Sequence, residues 1–482
     1  MHILLIYVTF KFIVEKYNTL LDCKGEYMFD ALILGGGPAG YKSAEILSKA
    51  GKKVAIIEKN KLGGTCLNAG CIPLKTFLHI SKSISEINQL QNEQIISDSK
   101  YAIFGEEMKY KKDKVVKDIR KGLEYTIKSL DITVFNNYGY ILGKNKDEKF
   151  EIKLDNDEIV VGSRLIIATG SESIKLNEQD GSYDYKIIDS DAFFELEYIP
   201  NTILIIGAGV IGLEIASFYN MLGVKVFVID MAKHIGGNLD DEIAENLQKN
   251  LEKKGIEFRL NTKVKNFNKD CIELFSEKEG EFSYSPEIVL VAIGRKPLVR
   301  NTGINNLDIL LNENGFISVN EHGETTESGV YACGDVIGGP LLAHVAYHEA
   351  KVVSSCILLE QSTISYDTVP GIIYTSPEVA SVGMTEKKCK DEGIDYKKVT
   401  KSMMYNGRYY LENGRDYAII KILISNSDNV ILGAHMVGNF ASEIIILFED
   451  FIVNKKSIND IKKMIFPHPT VGEIIIDALE DI

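Results

Sequence analysis

The stretch Phe29-Asp30-Ala31-Leu32-Ile33-Leu34-Gly35-Gly36-Gly37-Pro38-Ala39-Gly40 decides the fold. Its first six residues read as one buried strand, and its glycines form a G-x-G-x-x-G turn. An amphipathic helix is expected from Tyr41 to Ala50, followed by a strand Val54-Ala55-Ile56-Ile57 that ends on Glu58. This is a complete βαβ unit with an acidic residue about 20 positions beyond the turn. Gly35, Gly37 and Gly40 let the backbone approach a pyrophosphate, and the helix N-terminus supplies N–H donors and partial positive charge. Glu58 is placed to accept from a ribose hydroxyl.

The pattern recurs. Asn201 to Ile206 reads as a strand that enters Gly207-Ala208-Gly209-Val210-Ile211-Gly212. A helix from Leu213 to Leu222 and a strand from Val224 to Asp230 come next, so Gly35 to Glu58 and Gly207 to Asp230 span the same interval. One such turn is weak evidence, because many strand–helix junctions carry glycines. Two of them, each with flanking strands and a carboxylate at the right distance, predict two dinucleotide sites. Asp230 repels a 2′-phosphate, so the second site is expected to take NAD rather than NADP. Lys233 reads as a solvated surface residue.

Between the two units lies Gly63-Gly64-Thr65-Cys66-Leu67-Asn68-Ala69-Gly70-Cys71-Ile72-Pro73. A regular helix would hold the two cysteine Cα atoms roughly 8–9 Å apart. A disulfide tolerates about 7 Å at most. The segment is therefore expected to distort, and Gly70 and Pro73 suit a bent first turn. A bridge that bends its own backbone is better suited to opening and closing than to stapling. The first site, being followed by this pair, is the better place for FAD.

Composition bounds the rest. A chain of 482 residues holds two to four domains. The net charge of −14 argues against nucleic-acid binding and for docking on basic partners. Seven cysteines, five of them scattered, fit a reducing compartment with one functional pair, and the cytoplasm is expected. No Cys/His cluster has zinc spacing, so no metal is expected. The apolar run from Met1 to Val14 is too short to span a bilayer and has no basic start, so no membrane role is expected. Met28, directly before the first strand, is where a chain of this type would begin; residues 1–27 are expected to be an extension outside the fold.

From Met28 to Ile482 the sequence resembles the pyridine nucleotide–disulfide oxidoreductases, and among them the dihydrolipoamide dehydrogenase branch most closely. Gly63 to Pro73 is similar to the family's redox-active segment. Ala168-Thr169-Gly170-Ser171 and Ala292-Ile293-Gly294-Arg295 resemble its two strand-end motifs. Tyr331-Ala332-Cys333-Gly334-Asp335 resembles its second flavin motif, and Leu341-Leu342-Ala343-His344 the segment beside the isoalloxazine. Phe466-Pro467-His468-Pro469-Thr470-Val471-Gly472-Glu473 resembles the C-terminal catalytic His–Glu motif. Lys75 keeps the position near the flavin, with Glu214 as its ion-pair partner. Asn406-Gly407-Arg408 and Gly433 to Gly438 also read like the lipoamide branch. Leu74, Leu298, Val471-Gly472, Asn439 and Ser442 depart from common family residues; Leu74 and Gly472 lie where substrate preference could shift.

The resemblance implies an α/β fold with two Rossmann-like domains, for FAD and NAD, and a C-terminal α+β dimerisation domain. The expected divisions are an FAD domain at 28–172, an NAD domain at 173–298, a central segment at 299–366 and an interface domain at 367–482. It further implies a homodimer in which Cys66, Cys71, His468 and Glu473 are catalytic, His468 acting across the subunit boundary. Lys59, Gly139, Thr169, Gly170, Ser171, Asp335 and Leu341 to His344 are implied on the flavin side. Gly207, Gly209, Gly212, Asp230, Val264 and Gly294 are implied on the NAD side. The implied activity is oxidation of a protein-bound dihydrolipoyl group, with a lipoyl-bearing protein and the acyltransferase core of a 2-oxo acid dehydrogenase or glycine cleavage system as partners. An NADPH-dependent reductase of another disulfide is the rival, disfavoured by Asp230. A catalytically incidental flavin scaffold is a second rival, disfavoured because a scaffold has no use for both cysteines together with His468 and Glu473.

Overall fold

The computed structural model describes residues 27–97, 100–176 and 183–482. The expected N-terminal extension lies, up to residue 26, outside the described residues; Tyr27 already pairs with Val160. The chain divides into two compact units, one built from the residues up to Ile72 with Lys114–Glu172 and Arg295–Ser365. The other holds Pro73–Asp113, Ser173–Gly294 and Tyr366–Ile482.

In the first unit, the runs Ala31–Leu34 and Val54–Ile57 are buried on both faces, as strands of a parallel sheet must be. They lie in a five-stranded parallel sheet, ordered Val330–Ala332, Leu165–Ile167, Ala31–Leu34, Val54–Ile57, Thr133–Phe135. The expected single strand Phe29–Leu34 is in fact two. It breaks at Asp30, whose backbone N–H donates to the Lys53 carbonyl at 2.8 Å and whose carboxylate accepts the Lys53 N–H at 2.8 Å. Tyr27–Phe29 belongs instead to a separate four-stranded sheet with Ile159–Gly162, Phe150–Leu154 and Gly139–Lys144. The helix after the turn runs Pro38–Lys49, three residues earlier than expected, because proline is tolerated in a first helical turn. Its buried face is Ala39, Gly40, Ser43, Ala44 and Leu47.

The second unit repeats this plan around the five-stranded parallel sheet Lys186–Asp189, Ile288–Val291, Thr202–Ile206, Lys225–Ile229, Glu257–Arg259. Its helix is Val210–Met221. A three-stranded antiparallel sheet is built from Thr262–Phe267, Ile272–Ser276 and Gly280–Tyr284. The C-terminal part is α+β: a five-stranded antiparallel sheet from Gly371 to Val437, with helix Ala441–Val453 buried through Ile444, Ile445, Phe448 and Phe451. Among the described residues no helix is long and apolar enough to cross a membrane.

A buried charge cluster ties elements of the second unit together. The Lys421 ammonium, 1% exposed, lies 2.6 Å from Glu386, 2.7 Å from Asp240 and 3.0 Å from Glu242. These three carboxylates have the spacing of a cation site, and the ammonium fills it. Burial opposes the Lys421 charge, but the three carboxylates outweigh it and raise its pKa. Burial likewise opposes ionised Glu386, while Lys421, Lys398 and Tyr396 bring its pKa from 4.5 down to about 2. Glu386 therefore stabilises the fold above its ordinary titration range, and that contribution disappears as the pH falls toward about 2. Replacing Lys421 with methionine strands buried carboxylate charge and is expected to cost about 3–5 kcal/mol. Thermal and urea unfolding of the variant, compared with wild type at neutral pH, measure the loss.

Candidate active site and nucleotide sites

The two glycine turns share one geometry. Gly35 and Gly207 both have φ +110°, the left-handed region that a side chain avoids. A Cβ on Gly40 would sit 1.9 Å from the Gly35 carbonyl oxygen, and one on Gly212 would sit 2.0 Å from that of Gly207. Helix and strand thus meet backbone to backbone. Gly37 and Gly209 cap their helices, and neither supplies a side-chain hydrogen bond to the first turn. The leading N–H groups are left for an anion, as a pyrophosphate site requires.

The acidic strand ends also match. Glu58 accepts the Gly36 N–H at 2.7 Å and the Asn60 N–H at 2.8 Å. Asp230 accepts the Ala208 N–H at 2.6 Å and the Ala232 N–H at 2.7 Å. Each carboxylate is therefore held against its own turn. Lys59 lies over the Tyr138 ring. Gly139 is structural as well as near the site, because a Cβ there would come within 2.8 Å of Ile57 and 2.9 Å of Leu34.

The first unit carries a further polar group suited to a ligand. Thr169 Oγ1 is buried and has no hydrogen-bond partner among the described residues. Two positions on, Ser171 donates to Asp335 at 2.6 Å, and the Arg295 guanidinium donates to the Ser171 hydroxyl at 2.7 Å and carbonyl at 2.9 Å. Gly334 donates its N–H to the buried carboxylate of Glu349 at 2.6 Å. Asp335 is thus fixed by a chain that begins at Arg295. Leu342 caps helix Ala343–Ile357, so Leu341 to His344 form the approach to its first turn. That helix packs on Pro38–Lys49, where the Tyr41 and Tyr347 hydroxyls hydrogen-bond to each other. Two uncapped helix starts, an orphaned buried hydroxyl and an anchored aspartate fit a bound flavin dinucleotide.

The cysteines stand on either side of a helix break. Helix Gly64–Ala69 carries Cys66 and stops at Gly70, whose φ −156° and ψ −113° are not helical; a new helix starts at Cys71. The distortion expected from the spacing is present, and it falls on Gly70. The Asn68 side-chain amide donates to the carbonyls of Leu62 at 3.0 Å and Gly64 at 2.9 Å, and Arg120 donates to its oxygen at 2.8 Å.

In the second unit Lys75 donates to Glu214 at 2.7 Å, and its ammonium lies 4.3 Å from the centre of the Tyr374 ring. Glu214 also accepts the Tyr374 N–H at 2.9 Å. Val264 is half-buried on strand Thr262–Phe267, and the Gly294 carbonyl accepts the Ile174 N–H at 3.0 Å. His468 is 82% exposed, with Nδ1 2.9 Å from Glu473 Oε1. The second Glu473 oxygen accepts the Thr470 N–H at 2.8 Å. These two contacts, the backbone one larger, hold the Glu473 pKa below the usual carboxylate range, so it is ionised at neutral pH.

Residues 29–350 match the model of the pyridine nucleotide-disulphide oxidoreductase family, and 369–479 match its dimerisation domain. The chain belongs to this family. It is an FAD-containing oxidoreductase that uses NAD, and its dimerisation domain makes it a homodimer. The chain is 37% identical over 468 residues to dihydrolipoyl dehydrogenase of Bacillus subtilis, covering 93% of this chain and 97% of that one. It is 35% identical over 460 residues to the mitochondrial dihydrolipoyl dehydrogenase of Pisum sativum (93% and 90%). It is 33% identical over 464 residues to leghemoglobin reductase of Glycine max (93% and 86%). Among solved structures, the Escherichia coli flavoprotein disulfide reductase RclA in its Cu(II) complex superposes with TM-score 0.82 at 25% identity, over 94% of this chain and 99% of that one.

The Arg120–Asn68, Tyr374–Glu214 and Arg295–Ser171 contacts are not legible in the sequence, since each joins residues far apart in the chain. For the flavin side of this oxidoreductase, Ser171→Ala removes one hydrogen bond to the Asp335 carboxylate, a bond of the charged class worth about 1.5–3 kcal/mol. The expected result is a flavin dissociation constant raised at least about tenfold, measured by titrating FAD into the apoprotein.

Proposed function

We propose that the protein is a dihydrolipoyl dehydrogenase: it oxidises a protein-bound dihydrolipoyl group to its cyclic disulfide and passes the electron pair to NAD⁺. The single observation that carries this reading is the helix break at Gly70 between Cys66 and Cys71, behind a dinucleotide turn. The names of the relatives in Bacillus subtilis and Pisum sativum support the choice of substrate. The partners proposed are the lipoyl-bearing protein and acyltransferase core of a 2-oxo acid dehydrogenase or glycine cleavage system. The proposed compartment is the cytoplasm. The proposed domains are an FAD domain at 28–172, an NAD domain at 173–298, a central segment at 299–366 and an interface domain at 367–482.

The chain's own residues account for the thiol chemistry. A dihydrolipoyl thiol titrates above neutrality, so its attack needs a base. His468 takes the proton, and ionised Glu473 orients the ring through Nδ1 and stabilises the imidazolium. The high exposure of His468 in one subunit suits a base that serves its partner's cysteine pair. In the oxidised state that this reading requires, with Cys66 and Cys71 bridged, the substrate thiolate attacks Cys66 Sγ; the Cys66–Cys71 bond breaks, a mixed disulfide forms and Cys71 leaves as thiolate. The second substrate thiol, deprotonated in turn, attacks its own partner sulfur in the mixed disulfide. That closes the cyclic product and releases Cys66 as thiolate. FAD, when bound, supplies the two-electron carrier between the cysteines and NAD⁺. Gly35, Gly37, Gly40, Glu58, Thr169 and Asp335 would hold it; Gly207, Gly209, Gly212 and Asp230 would hold the nicotinamide dinucleotide. Lys75, paired to Glu214, is the cation assigned to the flavin in this reading.

Cys66→Ser is expected to abolish lipoamide turnover while NADH still reduces the flavin in a stopped-flow trace; full turnover in that variant rules out the assignment. His468→Gln is expected to slow the dihydrolipoamide half-reaction by about two to four orders of magnitude, the range for losing a general base. An unchanged rate removes His468 from the chemistry.

A further inference from the structure

Four cationic side chains line one cavity in the second unit, sharing it with three carboxylates but pairing directly with none of them. The cavity encloses about 550 Å³ and is lined by Lys82 of helix Cys71–Asn92, Lys253 of helix Asp241–Lys253, Lys254 just beyond it, and Arg415. Among the described residues none of the four makes an ion pair. Lys254 donates to the Ser376 carbonyl at 2.8 Å and hydroxyl at 3.0 Å, and Lys253 donates to the Arg415 carbonyl at 3.1 Å. The lining carboxylates are mostly committed elsewhere. Glu412 pairs with Arg408, and Asp416 accepts from the Tyr409 hydroxyl at 2.6 Å and the Ala418 N–H at 3.0 Å. Among the described residues, only Glu86 of these acids lacks such a contact.

This arrangement is unusual in a chain of net charge −14, where acids outnumber bases. Its cost is visible at Lys254. Packing around its ammonium, opposed by the charge of Asp416 and reinforced to a smaller degree by those of Lys82 and Lys253, lowers its pKa to about 8, although the residue as a whole is exposed. An anion in the cavity would favour the charged form of Lys254 and offset the smaller repulsion from Lys82 and Lys253. An ion carrying several charges would offset more of it than a singly charged one. The volume falls within the range of small-molecule pockets rather than peptide grooves. The side-chain amides of Asn220, Asn413 and Gln89 add polar lining. No residue of the Gly207–Gly212 turn lines the cavity, nor does Asp230, so it is separate from that dinucleotide site.

We propose that this cavity is a binding site for a small polyanion of the pyrophosphate class, distinct from both dinucleotide turns. Calorimetric titration of pyrophosphate into the FAD-loaded homodimer at low ionic strength tests it. The expected result is saturable binding that weakens at least about tenfold in Lys254→Ala and in Arg415→Ala and fades with added salt. Lys82→Gln is a third variant, needed if either of the others fails to retain flavin. Saturating NAD⁺ is expected to leave the binding intact. Absence of saturable binding, equal affinity in the variants that fold, or displacement of pyrophosphate by NAD⁺ would each overturn the proposal.

Discussion

At both nucleotide turns the backbone of a helix rests on the backbone of the strand before it, with no room for a methyl group between them. The Gly40 and Gly212 Cα atoms face the carbonyls of Gly35 and Gly207 so closely that a side chain at either position would overlap them. Each helix therefore starts at once after its strand, aims its uncapped N–H groups at the sheet edge, and leaves the carboxylate of Glu58 or Asp230 to close the turn. The rest of each site is measured from this contact.

One device serves twice, and the downstream segments make the two copies different. After the first turn comes a strand end, then the broken helix that carries Cys66 and Cys71. The break is the important part: an unbroken helix would keep the cysteine Cα atoms too far apart to bridge. Gly70 takes a non-helical conformation, and Asn68 and Arg120 hold the short helix before it in place. After the second turn the helix itself carries Glu214, which pairs with the Lys75 ammonium. In the proposed reading, redox chemistry and cation placement are divided between two versions of the same motif.

Pattern is legible in the chain wherever the physics is local. Glycine spacing, buried hydrophobic runs and the interval to Glu58 and Asp230 depend on neighbours in the chain, and all reappear in the structure. The strand Phe29–Leu34 is the exception, because a nearly unbroken apolar run does not reveal that Phe29 and Ala31 belong to different sheets; Asp30 makes the break by binding Lys53. Ser171, Arg295 and Asp335 are each visible as parts of motifs. Their assembly into one hydrogen-bonded chain is not, because it needs residues more than a hundred positions apart.

Backbone sterics over a few residues dictate the two βαβ turns, the cysteine pair and the need to bend between its members, so the order of amino acids was enough to give them. It was enough, too, for the His468–Glu473 pair, five positions apart and in hydrogen-bond contact. Folding in three dimensions was needed to surround Lys421 with three carboxylates, to leave Thr169 with an unpaired hydroxyl, and to bring four basic side chains around one cavity. Charge and hydrogen-bond satisfaction are properties of neighbourhoods in space, and a chain does not record its spatial neighbours in order.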